Sequence, residues 1–235
     1  AIIQFKLEGQ VIKRRPEFNM DKRLLLDKID YEEGTIMIEG KKYELLDKSF
    51  PTIDPNNPYE LSEAEEALMN RLCMNFLNCD KLQEHIRFLF NKGGLYLCYN
   101  SNLLYHGCVP MDEDGNFEQI NVYGKLCSGK KLYEVLETYA RKGYYSQDKE
   151  ERRKGRDTLW YIWAGPKSPV FGKDKMATFE RYFIADKETH KETKNAYYRL
   201  YDNEEILNKI LREFGLDEHR SHIINGHVPV EIKRG

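Results

Sequence analysis

Apolar and polar positions change their spacing several times along the 235-residue chain. Ile3, Leu7 and Val11 recur every four residues, and Pro16 follows, so Ile2 to Arg15 predicts a helix that the proline closes. "GTIMIEGKKYELL" instead alternates on both sides of Glu39-Gly40, the signature of a β-hairpin. Pro51, Pro55 and Pro58 make the next stretch a rigid loop. Ser62 then stands three residues before Glu65, a capping-box spacing that opens a helix over "EEALMNRLCMNFLNC". A second helical run, "DKLQEHIRFLFNKG", is closed by Gly93 and Gly94.

Beyond Gly94 the pattern shortens. "GLYLCYNSNLLYHGCVP" reads as two β-type runs joined at "NSN", a hairpin whose second strand delivers His106. "DEDGN" predicts a turn and "KKLYEVLETYARKG" a helix. "DTLWYIWAGPKSPVFGKDKMATFERYFI" is an aromatic core segment broken by a Gly/Pro-rich loop. "DNEEILNKILREFG" has the spacing of an amphipathic helix, and "SHIINGHVPVEI" predicts two final strands around the Gly226-His227 corner. Helices lead repeatedly into strands, so the expected class is α/β. Residues 1–92 read as a mainly helical segment with a hairpin, and 93–235 as an α/β portion.

A hydrophobic content of 40% suits an ordinary globular core, and 37 Lys plus Arg against 39 Asp plus Glu give a net charge of −2. That balance excludes nucleic-acid binding driven by bulk charge. The five cysteines form no CxxC pair and no zinc-finger spacing with histidine, which points to reduced thiols. No run reaches the roughly 18 apolar residues of a membrane span, and the opening residues lack the clean apolar stretch of a signal peptide. The expected location is the cytoplasm. The chain starts without Met, inside a helical pattern, and ends just after a strand-like run, as an internal piece of a longer chain would.

Three short motifs invite chemistry and are better read otherwise. "GKLCSGKK" fits GxxxxGK, but Lys131 stands where a nucleotide-binding loop needs Ser or Thr to hold magnesium. "DEDGNFE" has the acids of a calcium loop without its length or ligand ladder. "DEH", Asp217 to His219, follows a helix end rather than a buried strand. His106 and His227 remain. Each alone reads as a hydrogen-bonded structural histidine. Together they are stronger candidates, because both sit where a strand meets a loop, both flank a glycine, and imidazole is a common ligand for Mn, Fe and Zn. Spacing alone offers no third ligand.

"RFLFNKGGLYLCYNSNLLYHGCVPMDEDG", "WYIWAGPKSPVFGKDKMATFERYFIADKETHKE" and "SHIINGHVPVEIKRG" closely resemble the class III fructose-1,6-bisphosphatases of bacteria. "AIIQFKLEGQVIKRRPEF" and "LLLDKIDYEEGTI" resemble the same family, so the likeness covers essentially the whole chain. The resemblance implies a calcineurin-like metallophosphoesterase, an α/β/β/α sandwich with two metals at its strand ends, here a partial sandwich with added helices. It assigns His106 and His227 to one metal of a Mn²⁺-type pair. Many relatives carry a further histidine two residues after the Gly-His pair, where this chain has Pro229. The superfamily's D-x-H, G-D-x-x-D-R-G and G-N-H-E motifs do not occur upstream of His106 in a suitable context, which implies that they precede Ala1. The implied reaction removes the 1-phosphate of fructose 1,6-bisphosphate by a metal-activated water. Lys173, Lys175 and Arg181 are the cations expected to orient the second phosphate. The fragment alone is expected to be inactive, and a homo-oligomer is an expected form of the whole enzyme. The rival readings are a phosphoprotein phosphatase of the same superfamily and a non-catalytic interaction module.

Overall fold

The computed structural model describes residues 1–228. Its first elements are α1 (Ile2–Arg14), β1 (Ile29–Asp30), β2 (Thr35–Ile38), β3 (Lys41–Glu44), α2 (Glu63–Leu77) and α3 (Asp80–Lys92). Then come β4 (Tyr96–Tyr99), β5 (Asn102–Tyr105), β6 (Ile120–Val122), β7 (Lys125–Cys127), α4 (Gly129–Tyr145) and α5 (Lys149–Ala164). The last are α6 (Thr178–Phe183), α7 (Tyr197–Leu200), α8 (Glu204–Glu213) and β8 (His222–Ile224). The class is mixed α/β. Among the described residues the strands form sheets β1-β2-β3, β4-β5-β8 and β6-β7. The second of the two strands expected around Gly226-His227 lies outside the described residues.

The chain divides into two compact units, Ala1–Lys92 with Met176–Glu192, and Gly93–Lys175 with the residues from Thr193 onward. Residues 176–192 therefore pack with the first unit and not with the segment that precedes them. The reason is apolar: Phe179, Phe183 and Ile184 join Phe5, Leu25, Leu26, Ile29, Ile36, Leu45 and Tyr59 in one core. Backbone bonds support it, with an antiparallel bridge between Leu45 and Ile184 and a 2.8 Å bond from Leu46 N–H to the Phe183 carbonyl. Two charged pairs are buried here. Lys6, fully buried, reaches Glu65 Oε2 at 2.7 Å, and Arg23 forks onto the fully buried Glu180, also donating to the Met176 carbonyl at 2.9 Å. The expected capping box is complete: Ser62 Oγ accepts from Glu65 N–H, and the Glu65 carboxylate accepts from Ser62 N–H.

In the second unit β4 and β5 form a hairpin whose turn residues, Asn100 and Ser101, have φ of 49° and 58°. Two consecutive left-handed residues match the right-handed twist of the flanking strands. β8 then adds to β5 in parallel, Leu103 opposite Ile223 and Leu104 opposite Ile224. Antiparallel partners need only a tight turn, but a parallel partner needs a long crossover. Here more than a hundred residues, including the helical pair α4 and α5, separate β5 from β8. Leu103, Tyr105, Val109, Met111, Tyr133, Tyr197 and the α8 residues Ile210 and Leu211 form the core beneath this sheet. α5 is a departure from the sequence pattern: its aromatic half was legible only as core, and the charged first half, capped by Asp148 on Glu151 N–H, masks the helical period.

Candidate functional site

Parallel neighbours in a sheet end on the same edge, and in open α/β sheets the region beyond the strands' carboxyl ends is where ligands bind. β5 and β8 obey this. His106 follows β5 directly, and the chain leaving β8 runs beside it, with Gly226 N–H donating to the His106 carbonyl at 3.0 Å. The two imidazoles therefore meet: His106 Nε2 lies 2.9 Å from His227 Nδ1, with ring centroids 4.8 Å apart. Both side chains are exposed.

Hydrogen bonding fixes which nitrogen carries the proton. His227 Nε2 lies 3.1 Å from the Phe171 carbonyl, which can only accept, so Nε2 is protonated and the neutral ring keeps a bare lone pair at Nδ1. That lone pair accepts from His106 Nε2–H. Partial burial, the neighbouring His106 and the charge of Lys173 together hold His227 below the ordinary histidine pKa of 6.5, against the pull of the Phe171 carbonyl. At neutral pH it is neutral, the form in which imidazole ligates a metal. Two nitrogens bound about 2.1 Å from one ion lie roughly 3–4.5 Å apart, so the observed 2.9 Å needs little adjustment for a cation to replace the shared proton.

The corner is braced from several sides. Asn225 Nδ2 donates to the Gly107 carbonyl at 3.0 Å and to Tyr197 Oη at 2.9 Å. Tyr197 Oη in turn meets Tyr105 Oη at 2.8 Å, and Tyr133 Oη donates to the Cys108 carbonyl at 2.7 Å. Burial holds these phenols protonated, Tyr197 up to about 12, so the brace is uncharged. Gly107 permits a close approach: a Cβ there would stand 2.5 Å from the Pro169 carbonyl oxygen. The 168–171 loop lies against it, with Cys108 N–H donating to that carbonyl at 2.9 Å. His227 itself is strained, with φ at 67°, and Val228 N–H closes on the Gly226 carbonyl at 2.8 Å. Such a tight three-residue turn is uncommon for a residue with a Cβ.

Of the other expected site residues, Lys173 stands near enough for its charge to act on His227. It pairs across an antiparallel bridge with Lys194, a second cation that sequence spacing did not single out. Lys175 lies in the same unit, whereas Arg181 belongs to the first unit, where it pairs with Glu192 Oε1 at 3.0 Å. Asn225 and the Phe171 carbonyl were also missed; the position of Asn225 immediately before Gly-His was the available signal. No group of three or more His, Cys, Asp or Glu side chains suited to a metal occurs among the described residues.

The rejected motifs have structural explanations. At the N-terminus of α4, Lys130 N–H donates to Glu213 Oε1 at 3.0 Å, so a carboxylate already fills the place where a phosphate would sit. Asp112 folds "DEDGN" into a turn by accepting from Asp114 and Asn116 N–H. Asp217 likewise accepts from His219 N–H, at 2.9 Å. Among the described residues no helix is long and apolar enough to cross a membrane.

The family model described as Firmicute fructose-1,6-bisphosphatase matches residues 1–235. Among curated proteins, the chain is similar to fructose-1,6-bisphosphatase class 3 of Clostridium botulinum (strain Alaska E43 / Type E3), at 55% identity over 236 residues. It is 57% identical over 236 residues to fructose-1,6-bisphosphatase class 3 2 of Clostridium beijerinckii, and 55% identical to the class 3 protein of Clostridium tetani. Each alignment covers 100% of this chain but 36% of the relative, so the chain spans little more than a third of their length. No solved structure matches it.

Proposed function

Because the chain belongs to the Firmicute fructose-1,6-bisphosphatase family, we propose that residues 1–235 are part of an enzyme that hydrolyses fructose 1,6-bisphosphate to fructose 6-phosphate and phosphate. The observation that carries this reading is the His106–His227 pair, two imidazole nitrogens 2.9 Å apart at the ends of adjacent parallel strands. His106 Nε2 and His227 Nδ1 would hold one divalent ion, with Mn²⁺ the candidate. Such an ion would supply charge for the phosphoryl oxygens and lower the pKa of a bound water. The Phe171 carbonyl holds the His227 tautomer, and Asn225 fixes the backbone that carries both rings. Lys173 and Lys175 would attract the substrate's phosphates. The remaining ligands lie outside this chain in this reading, so residues 1–235 alone are inactive. A calcineurin-like sandwich, a cytoplasmic location and a homo-oligomer belong to the same proposal.

The test uses the full-length protein with Mn²⁺. His106→Ala and His227→Ala should each lower phosphate release from fructose 1,6-bisphosphate by more than the 10- to 100-fold typical of losing a ligand's supporting contact, with bound Mn²⁺ reduced in parallel. Wild-type turnover of a phosphopeptide but not of the sugar bisphosphate would replace this function by that of a protein phosphatase. Full activity in both variants would remove the site.

A further inference from the structure

α2 and α3 are amphipathic helices whose apolar residues are half-buried at most, Leu68, Met69, Leu82, Ile86 and Phe90 among the half-buried. In α2, Leu68, Leu72 and Phe76 repeat every four residues, and Met69, Cys73 and Leu77 repeat beside them, so half the helix circumference is apolar. α3 carries Leu82, Ile86 and Leu89 at the same kind of spacing. Yet the one buried residue of α2 is Glu65, and α3 buries none. From Asn70 to Lys81 every residue is exposed. Leu72, Met74, Phe76, Leu77, Phe88 and Leu89 are 39–68% exposed. Isolated apolar side chains on a surface need no explanation, but six large ones on one helical hairpin form a patch of the kind that is covered in a working protein.

What holds the hairpin is its first turn, through the capping box and the buried Lys6–Glu65 pair. Helices of 15 and 13 residues are marginal in water without tertiary packing of their apolar faces. The cover must therefore be permanently present, which favours a covalently attached segment, at an effective concentration in the millimolar range, over a partner met by diffusion. Such a segment is available. Nearly two thirds of each relative's length lies outside the region that this chain matches. We infer that the apolar face of α2 and α3 is an intramolecular docking surface, covered in the full-length protein by polypeptide outside residues 1–235. This inference does not depend on the hydrolase reading.

Native thiols report on it. Cys73 lies within the apolar stripe and is exposed in this chain, whereas Cys108 is buried, its thiol pushed up to about 12 by that burial, and serves as an unreactive control. The experiment treats folded full-length protein with a maleimide and follows each cysteine by peptide mass spectrometry. Cys73 should react at least about 100-fold more slowly than in urea-unfolded protein, with no change on dilution. Lysine cross-linking of a mixture of ¹⁴N- and ¹⁵N-labelled chains should join the α3 lysines, Lys81 and Lys92, to residues outside 1–235 within chains of one isotope. Cys73 reacting at the unfolded rate overturns the inference. Protection lost on dilution, or cross-links joining the two isotopes, also overturns it and seats a second copy on this face.

Discussion

In the first unit the conspicuous buried polar atoms are charged: Lys6 with Glu65, and Arg23 with Glu180. Around the histidine corner of the second they are uncharged, a chain of Tyr105, Tyr197 and Asn225 beside the Tyr133–Cys108 bond. The two solutions differ in what they leave behind. A buried ion pair repays its desolvation only while both partners remain, so it ties distant segments together at the risk of a large loss if one goes. A hydroxyl and amide network costs less to disturb. It also places no carboxylate against His106 and His227, so the field at the pair is not already neutralised by the brace.

The sharpest way to break this contrast is Glu65→Ala, which leaves the Lys6 ammonium buried with the Thr52 carbonyl as its partner among the described residues. Urea unfolding of the full-length protein should show a loss of about 3–5 kcal/mol, whereas Lys6→Met with Glu65→Leu should recover most of it. A loss below about 1 kcal/mol would mean that the pair contributes no more than a surface contact. Acid gives the same answer by another route. Burial opposes the charge of Glu65, but its bonds from Lys6 and Ser62 N–H prevail and hold its pKa below the ordinary 4.5. A carboxylate lowered on folding stabilises above its unfolded pKa, and that stability is lost as pH falls through the folded one. Wild type should therefore weaken progressively below pH 4.5, and Glu65→Gln should lose that part of the pH dependence.

A smaller effect on stability is expected from Asn225→Leu, which removes the donor to Gly107 and Tyr197: about 1–3 kcal/mol. Its weight should fall on the site, with Mn²⁺ affinity reduced about 10- to 100-fold by calorimetry while the fold is retained. Unchanged affinity would make the network a purely structural brace. Smallest of all should be Lys131→Ala, which removes an exposed pair with Glu134 and the basic residue of the GxxxxGK look-alike. Stability should stay within about 0.5 kcal/mol, and turnover should not change.

Much of the local structure was legible because its causes are local. Pro16 closes α1, Ser62 and Glu65 cap α2, Gly93 and Gly94 follow α3, and short alternating runs become β4 and β5. His106 and His227 could be singled out by glycine and strand-end context alone. Their contact could not, since it depends on β8 adding to β5 in parallel across more than a hundred residues. Nor could the Phe171 carbonyl, a backbone atom with no signature in side-chain pattern, nor the packing of residues 176–192 with the first unit. By itself the sequence determined the elements bounded by caps, prolines and turn residues, the α/β class, and the two histidines worth watching, because hydrogen bonds within a few residues and apolar spacing decide these. Only the tertiary structure decided that the imidazoles share one proton, that a neutral network holds them, and that the face of α2 and α3 stands open. Those outcomes depend on which distant surfaces exclude water together, and no local period encodes that.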